Sequence, residues 1–510
     1  MDFGRWRARG ALAAAGGALL LAGCGGGDGD SGSSASFKGS GHPNIDQANT
    51  RNAKGSISTK NVKELEVAWT IPIEGQSTFG SYASSPIVSE GVIYSQDLES
   101  NVRAIDQESG EVLWLKSYAS PDHGPNGVVV QDGMVFGATA ESAFALDQET
   151  GKEAWSVSLL RNEQEGIDIA PGYENGTVYV STVPVNVGEF YGPGGAGILW
   201  ALDGKTGKKL WSFDTVPKNL WGKPQVNSGG GLWYTPAFDG RGGMYFGVGN
   251  PGPFPGTEEE PWGSSRPGPN LYSDSLVKLN SKNGKLQWYH QVTPHALYDW
   301  DFQNPPILVK AKGRELAIGS GKSGEVIAFD TESGEIAWER NVGKHNGHDK
   351  DSLYAMRGEY DKLKLPMTVY PGSLGGVIAP ASTDGETVFV PVINAPLEIV
   401  TQTERQEPGP ISGELVALDV AGGEVKWTHE FPTAPAYGFT TVVNDLVFAT
   451  TGDGKVSAFD TSSGRLAWEV TLPSGTNSGV MIEGDTVIAP AGLPQAEGQT
   501  AQLVAYRLGG

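Results

Sequence analysis

Ala104-Ile105-Asp106-Gln107-Glu108-Ser109-Gly110-Glu111-Val112-Leu113-Trp114 decides the fold, because a close copy follows as Ala145-Leu146-Asp147-Gln148-Glu149-Thr150-Gly151-Lys152-Glu153-Ala154-Trp155. The pattern returns at Asp203, Gly207 and Trp211, and in looser form at Asn280, Gly284 and Trp288, where Lys278 replaces the leading alanine. It returns again at Asp330, Gly334 and Trp338, at Asp419, Gly423 and Trp427, and at Asp460, Gly464 and Trp468, so that seven copies are present. Each copy reads as strand, turn and strand. Alternating apolar residues end the first strand, Asp and Ser/Thr side chains bond the turn backbone, and glycine takes the positive φ that the turn needs. The second strand then opens on tryptophan.

One such unit cannot bury both of its faces, so a tryptophan at a constant place packs between neighbouring units, and a radial array follows. An eighth tryptophan, in Leu65-Glu66-Val67-Ala68-Trp69-Thr70, lacks the preceding turn. Its strand is expected to pair with the C-terminal Leu503-Val504-Ala505-Tyr506-Arg507-Leu508, which removes the free sheet edges. The sequence therefore predicts an all-β fold, an eight-bladed β-propeller of four-stranded antiparallel blades, closed by pairing of its N- and C-terminal strands. Extra sequence around 184–198, 217–274 and 341–410 falls between repeats, in face loops of the kind on which sites are built.

The composition agrees. Among 510 residues, 73 Gly and 32 Pro suit short strands and tight turns. A formal charge of −22, from 37 basic against 59 acidic residues, repels phosphate backbones and argues against a nucleic-acid partner. One cysteine excludes an internal disulfide, a thiolate zinc cluster and a C-x-x-C-H haem attachment. That cysteine ends Leu21-Ala22-Gly23-Cys24, after Arg5, Arg7 and Arg9 and an apolar stretch too brief to span a bilayer stably. The segment resembles a bacterial lipobox, which implies a signal peptide over 1–24, a lipid on Cys24, and a chain exported to the outer face of the cell membrane or the periplasm. Residues 25–43, rich in Gly, Ser and Asp, read as a flexible tether, and 44–510 as the propeller.

Three blocks carry a more specific resemblance. They are Tyr245-Phe246-Gly247-Val248-Gly249-Asn250-Pro251-Gly252-Pro253, Asn270-Leu271-Tyr272-Ser273-Asp274-Ser275, and Thr293-Pro294-His295-Ala296-Leu297-Tyr298-Asp299-Trp300-Asp301. In this order, and with the repeats, the chain resembles the pyrroloquinoline quinone (PQQ) dependent alcohol and sugar dehydrogenases, the quinoproteins, over nearly all of its folded length. The resemblance implies PQQ and Ca²⁺ as cofactors. It implies Asn250 and, from Gly188-Glu189-Phe190-Tyr191-Gly192, Glu189 as metal ligands beside Asp299. Asp299 would also be the general base with Asp301 its neighbour, Trp233 the floor under the quinone, and Lys322 the lysine that reaches the quinone oxygens. Without the resemblance, Asn250 could hold a turn, Trp233 could plug two blades, Asp299 and Asp301 could cap a loop, and Lys322 could face solvent. His295 reads as ordering its loop.

Four positions depart from the family pattern. Pro125-Asn126-Gly127 stands where a cysteine pair and a cofactor-binding arginine often occur, and Ala83-Ser84-Ser85-Pro86 lacks a carboxylate that usually faces the quinone. Gly375-Gly376-Val377-Ile378-Ala379 lacks an Asn-Trp pair, and Tyr437 takes the place of a tryptophan above the cofactor. Metal-side and floor residues match while the carboxylate-clamping ones do not. The favoured expectation is a dehydrogenase that oxidises a small alcohol or sugar and passes electrons to an external acceptor, a cytochrome or a quinone. The alternatives are a non-enzymatic propeller lipoprotein of the outer-membrane assembly type, and a degenerate quinoprotein that binds a ligand without turnover.

Overall fold

The computed structural model describes residues 39–187 and 190–509; the expected signal segment, Cys24 and Glu189 lie outside them. The repeats form sheets with four antiparallel strands in chain order, and two of the sheets carry a fifth short strand. In the first, Ile87–Ser89, Val92–Gln96, Val102–Asp106 and Val112–Lys116 pair in chain order. The same order repeats through Val129–Gln131 to Glu153–Ser158, through Ala237–Phe238 to Leu286–Gln291, and through Ile307–Ala311 to Ile336–Asn341. The last sheet differs. Met481–Glu483, Thr486–Ala491 and Gln502–Leu508 are completed by Leu65–Pro72, with Leu65 opposite Leu508 and Pro72 opposite Gln502.

The turn chemistry is as the repeat implies. Asp106 Oδ1 accepts from both the Ser109 amide and hydroxyl at 2.7 Å, and Asp147 Oδ1 accepts from those of Thr150 at 2.9 and 2.6 Å. Seven tryptophans dock on the turn of the next unit, from Trp69 on that of Gly110 to Trp427 on that of Gly464. Trp69, Trp114 and Trp155 donate their indole N–H to the carbonyls of Gln107, Gln148 and Gly204 at 3.1, 3.1 and 2.9 Å. The glycine of that next turn lies against the ring. A Cβ on Gly151 would come within 2.6 Å of the Trp114 ring, and Gly151 has φ +67°. Gly133 has a similar φ of +75° but nothing within 4 Å. Both Gly151→Ala and Gly133→Ala should meet the left-handed penalty of about 1–2 kcal/mol, and only Gly151→Ala should also disturb the docked ring. Thermal denaturation is expected to show a melting temperature several degrees lower for Gly151→Ala than for Gly133→Ala; equal losses would contradict the docking.

Residues 40–56 form a belt across one end of the sheets. Gly41 donates to Val88 O and accepts from the Val130 amide. Gln47 reaches Tyr173 O through its side chain and accepts from the Phe238 amide. Ala48, Thr50, Arg51 and Lys54 accept in turn from the amides of Leu308, Thr383, Val442 and Gly484, at 2.9 to 3.0 Å. Every partner lies in or beside the first strand of a sheet, in chain order. Arg51 anchors the belt from within: it is 1 % exposed, and its guanidinium donates to Thr440 O at 2.6 Å and Thr441 Oγ1 at 2.7 Å. Burial lowers its pKa to about 9. These contacts begin at Ser40, four residues before Asn44, where the folded domain is expected to start.

Candidate functional site

A cavity of about 820 Å³ is lined by residues from widely separated repeats, among them Trp233, Asp299, Lys322, Tyr191, Asp168 and Tyr437. Trp233, Tyr234 and Phe439 also line a water-sized space of about 20 Å³, whose other walls include Pro43 and Asn44 of the belt. These aromatic rings thus form a floor, with the belt beneath and the large cavity above.

Lys322 is the centre of the charged group. It follows strand Arg314–Ser320 in a tight turn, where the backbone N–H of Lys322 donates to Asp301 O at 2.9 Å and a Cβ on Gly321 would meet that same oxygen at 2.0 Å. Glycine is needed for this close approach. The Lys322 ammonium lies 2.7 Å from Asp299 Oδ2, 2.8 Å from Asp301 Oδ2 and 4.6 Å from the Trp233 ring centre. Burial works against its charge, but the two carboxylates outweigh burial and hold its pKa above the ordinary lysine range.

Asp299 sits in the loop between Leu286–Gln291 and Ile307–Ala311 with φ +63°, in the left-handed region that few non-glycine residues adopt. Its neighbours hold it there. Tyr298 and Trp300 turn away into a buried apolar cluster with Trp262, Leu363, Met367 and Leu397. The Tyr298 hydroxyl donates to Asp351 Oδ2 at 2.5 Å, and the Trp300 indole donates to Pro371 O at 3.0 Å. Asp299 is consequently turned towards the cavity. Burial pushes its carboxyl up to about 7; the Lys322 ammonium opposes the rise and Asp301 adds to it. His295, on the same loop, is buried between the carbonyls of Gly268 and Trp262, which agrees with an ordering role.

Asn250 lies behind this group. Its backbone N–H donates to Asp301 Oδ1 at 2.7 Å, while its side-chain oxygen, in a residue 1 % exposed, has no hydrogen-bond donor among the described residues. Asp274 is fully buried as well. Burial drives the Asp274 carboxyl well above the usual range, Asp301 adds to the rise and Arg266 opposes it. The structure therefore brings together Trp233, Lys322, Asp299 and Asp301, with Asn250 next to them. Sequence reasoning did not single out Asp274, nor Asp168 and its neighbour Asp122. The signal was available at Asp168, an acid inside the otherwise apolar Ile167-Asp168-Ile169-Ala170.

Two family models match. The first, "Glucose/ethanol/alcohol dehydrogenase, beta-propeller domain", covers residues 44–126 and 170–320 and so includes Trp233, Asn250 and Asp299. This match and the curated relatives support a likeness to the PQQ-dependent alcohol dehydrogenases. Its repeats also match the model of the outer membrane protein assembly factor BamB, over residues 98–230 and 368–507, more than half of the chain. Among curated relatives, the quinohemoprotein alcohol dehydrogenase of Comamonas testosteroni is 27 % identical, over 88 % of this chain and 71 % of that one. The quinoprotein alcohol dehydrogenase PedH of Pseudomonas putida is 29 % identical, over 82 % and 79 %. The crystal structure of the Comamonas enzyme superposes with a TM-score of 0.77 at 23 % identity, covering 92 % of this chain and 80 % of that one.

The residues present fit the family's cofactors. A hard cation asks for several oxygens: among the described residues the buried amide oxygen of Asn250 has no donor, the Asn250 backbone N–H bonds Asp301, and the Asp299 and Asp301 carboxylates meet at Lys322. Among the described residues, no three His, Cys, Asp or Glu side chains converge on one point. A flat ring system suits the Trp233 floor, with the Lys322 ammonium beside it for its oxygens.

Proposed function

We propose that this chain is an exported, lipid-anchored PQQ- and Ca²⁺-dependent dehydrogenase that oxidises an alcohol or sugar and passes the electrons to a separate acceptor. The observation that carries this reading is the Lys322 ammonium bridging Asp299 and Asp301 above Trp233, inside one large cavity. On this reading the sheets are the eight blades of one closed propeller, and the cavity lies on its axis. When bound, the quinone is the two-electron acceptor and the cation beside it the Lewis acid that polarises it. Trp233 supplies the face against which a planar cofactor lies, and Asn250, Asp299 and Asp301 supply the oxygens for the cation, with Glu189 as the further ligand. Asp299 Oδ accepts the hydroxyl proton of the substrate, which requires the ionised carboxylate. Lys322 favours that form by its charge. The BamB-like scaffold reading shares the repeat but gives this charged group no role.

The deciding experiment adds PQQ and Ca²⁺ to the purified domain, without its signal, and records quinone absorbance and dye-linked oxidation of a panel of alcohols and sugars. Absence of both would end the enzyme reading. Lys322→Met is a finer test. Removing the ammonium takes away the charge that favours ionised Asp299, so the carboxyl should lose its proton only at higher pH. The rising limb of the kcat/KM pH profile is expected to move upward in the variant; an unmoved limb would separate Lys322 from the base.

A further inference from the structure

Arg266 lies in the insertion over 217–274 and is completely buried, yet the chemistry described above does not use it. Its guanidinium joins the Asn250 run, the Asn270 run and the Asp299 loop. Nη2 donates to Pro253 O at 3.1 Å and to Ala296 O at 2.9 Å, while Nη1 donates to Asn270 Oδ1. Pro253 stands three residues after Asn250, and Ala296 three residues before Asp299. One side chain thus straps the backbone leading from Asn250 to the backbone leading to Asp299. Asn270 closes the arrangement: its amide donates back to Arg266 O at 2.7 Å, and its backbone N–H donates to Pro294 O at 2.8 Å. The backbone of Gly263 lies against the guanidinium, where a Cβ would come within 2.9 Å of Arg266 Cζ and 2.8 Å of His295 Nε2. A charge at this depth is costly unless acceptors surround it. Burial lowers the Arg266 pKa to about 10, and Asp274 opposes that fall.

We propose that Arg266 is a positioning residue of the candidate cation site: by holding Pro253 O and Ala296 O together it sets the spacing of Asn250 and Asp299. This role rests on the quinone reading given above and deepens it. Arg266 lines no part of the cavity, so it acts on the site only through the two loops that it ties. Those loops share one other tie, from the Asn250 N–H to Asp301 Oδ1. A single hydrogen bond lets two loops pivot about it; a second, on the far side of Asn250 and Asp299, fixes their separation. A hard ion needs its oxygens at a set distance. Relaxing that spacing weakens ion binding while every oxygen donor is still present, so excess Ca²⁺ offsets the loss by mass action.

The test titrates Ca²⁺ into the full chain with PQQ present, by calorimetry, and follows dye-linked turnover against Ca²⁺ concentration. It compares wild type, Arg266→Met, Arg266→Lys and Gly151→Ala. Gly151→Ala is the control for lost stability, because it disturbs a tryptophan-docking turn and lines no part of the cavity. Arg266→Met is expected to bind Ca²⁺ roughly 10- to 100-fold more weakly, the usual cost of losing a group that orients metal ligands. Its turnover should return close to the wild-type value at saturating Ca²⁺. Gly151→Ala should keep the wild-type affinity despite its lower melting temperature. Arg266→Lys keeps the cation but not the planar fork, so its affinity should fall between those of wild type and Arg266→Met, and it carries the test if the methionine variant does not fold. Wild-type Ca²⁺ affinity in the Arg266 variants, or an equal loss in Gly151→Ala, would overturn the positioning role. A wild type that binds neither PQQ nor Ca²⁺ would instead end the quinone reading, and the role would fall with it.

Discussion

Asp299→Asn is expected to reduce turnover by roughly 10²- to 10⁴-fold, the usual contribution of a positioned general base, while leaving quinone binding nearly unchanged. The substitution is well matched to its site. Asparagine is among the few residues that tolerate the left-handed backbone, so φ +63° adds no strain that aspartate does not already bear. The anchors on either side, Tyr298 to Asp351 and Trp300 to Pro371, do not involve the exchanged atom. Lys322 keeps Asp301 at 2.8 Å, so its ammonium stays in place. What disappears is the oxygen that can hold the substrate's proton. Asn250→Ala should behave in the opposite way, raising the Ca²⁺ concentration needed for activity, because a hard ion held by few protein oxygens cannot easily spare one. Titrating PQQ by fluorescence and activity by dye reduction separates the two effects. Unchanged kcat in Asp299→Asn, with the variant folded, would remove Asp299 from the chemistry.

The site was legible where its residues stand inside short motifs. Asn250, Asp299 and Lys322 each belong to a run of glycines, prolines or aromatics that fixes the local backbone, and the fold then brings those runs together. The acid pair was not legible in the same way. Asp122 and Asp168 come from loops after different sheets, and only the fold makes two ordinary aspartates buried neighbours whose carboxyl groups are both raised, chiefly by burial. The anchoring of Asp299 was hidden for the same reason. Asp351 lies in the short helix Asp351–Met356, inside sequence that reads only as an insertion, yet its carboxylate holds the tyrosine beside the base.

The sheets were legible because one side-chain pattern recurs and each part of it has a mechanical task. Trp docks, Gly yields, and Asp ties the turn. The belt over residues 40–56 was not, because it works through backbone N–H and carbonyl groups, which every sequence has. Its one side-chain signature, the buried Arg51 between Thr440 and Thr441, joins residues nearly four hundred positions apart. Composition alone makes residues 39–43 look like tether; the backbone contacts of Ser40 and Gly41 make them part of the fold.

Deleting residues 503–510 is expected to abolish cooperative folding rather than trim a terminus. Strand Gln502–Leu508 is central in its sheet, paired with Leu65–Pro72 on one side and Thr486–Ala491 on the other. Without it the N-terminal strand has no ladder partner, and Thr486–Ala491 becomes an unprotected edge. The side chains lost are core: Leu503, Val504, Ala505 and Tyr506 are each at most 4 % exposed, and Val504 and Tyr506 pack with Val487, Val456 and Phe448 across two sheets. Burial of a large apolar side chain is worth about 1.5–3 kcal/mol, so losing three of them removes an amount comparable with the net stability of a typical domain, about 5–15 kcal/mol. Trp69 would suffer too, since it is carried by the strand left unpaired and docks on Gln107 of the first sheet. Calorimetry or circular dichroism of the truncated chain should show no native-like transition, with the protein aggregated or proteolysed. A truncated protein that melts like the full chain would mean that the pairing of Leu65–Pro72 with the C-terminal strand does not hold the fold together.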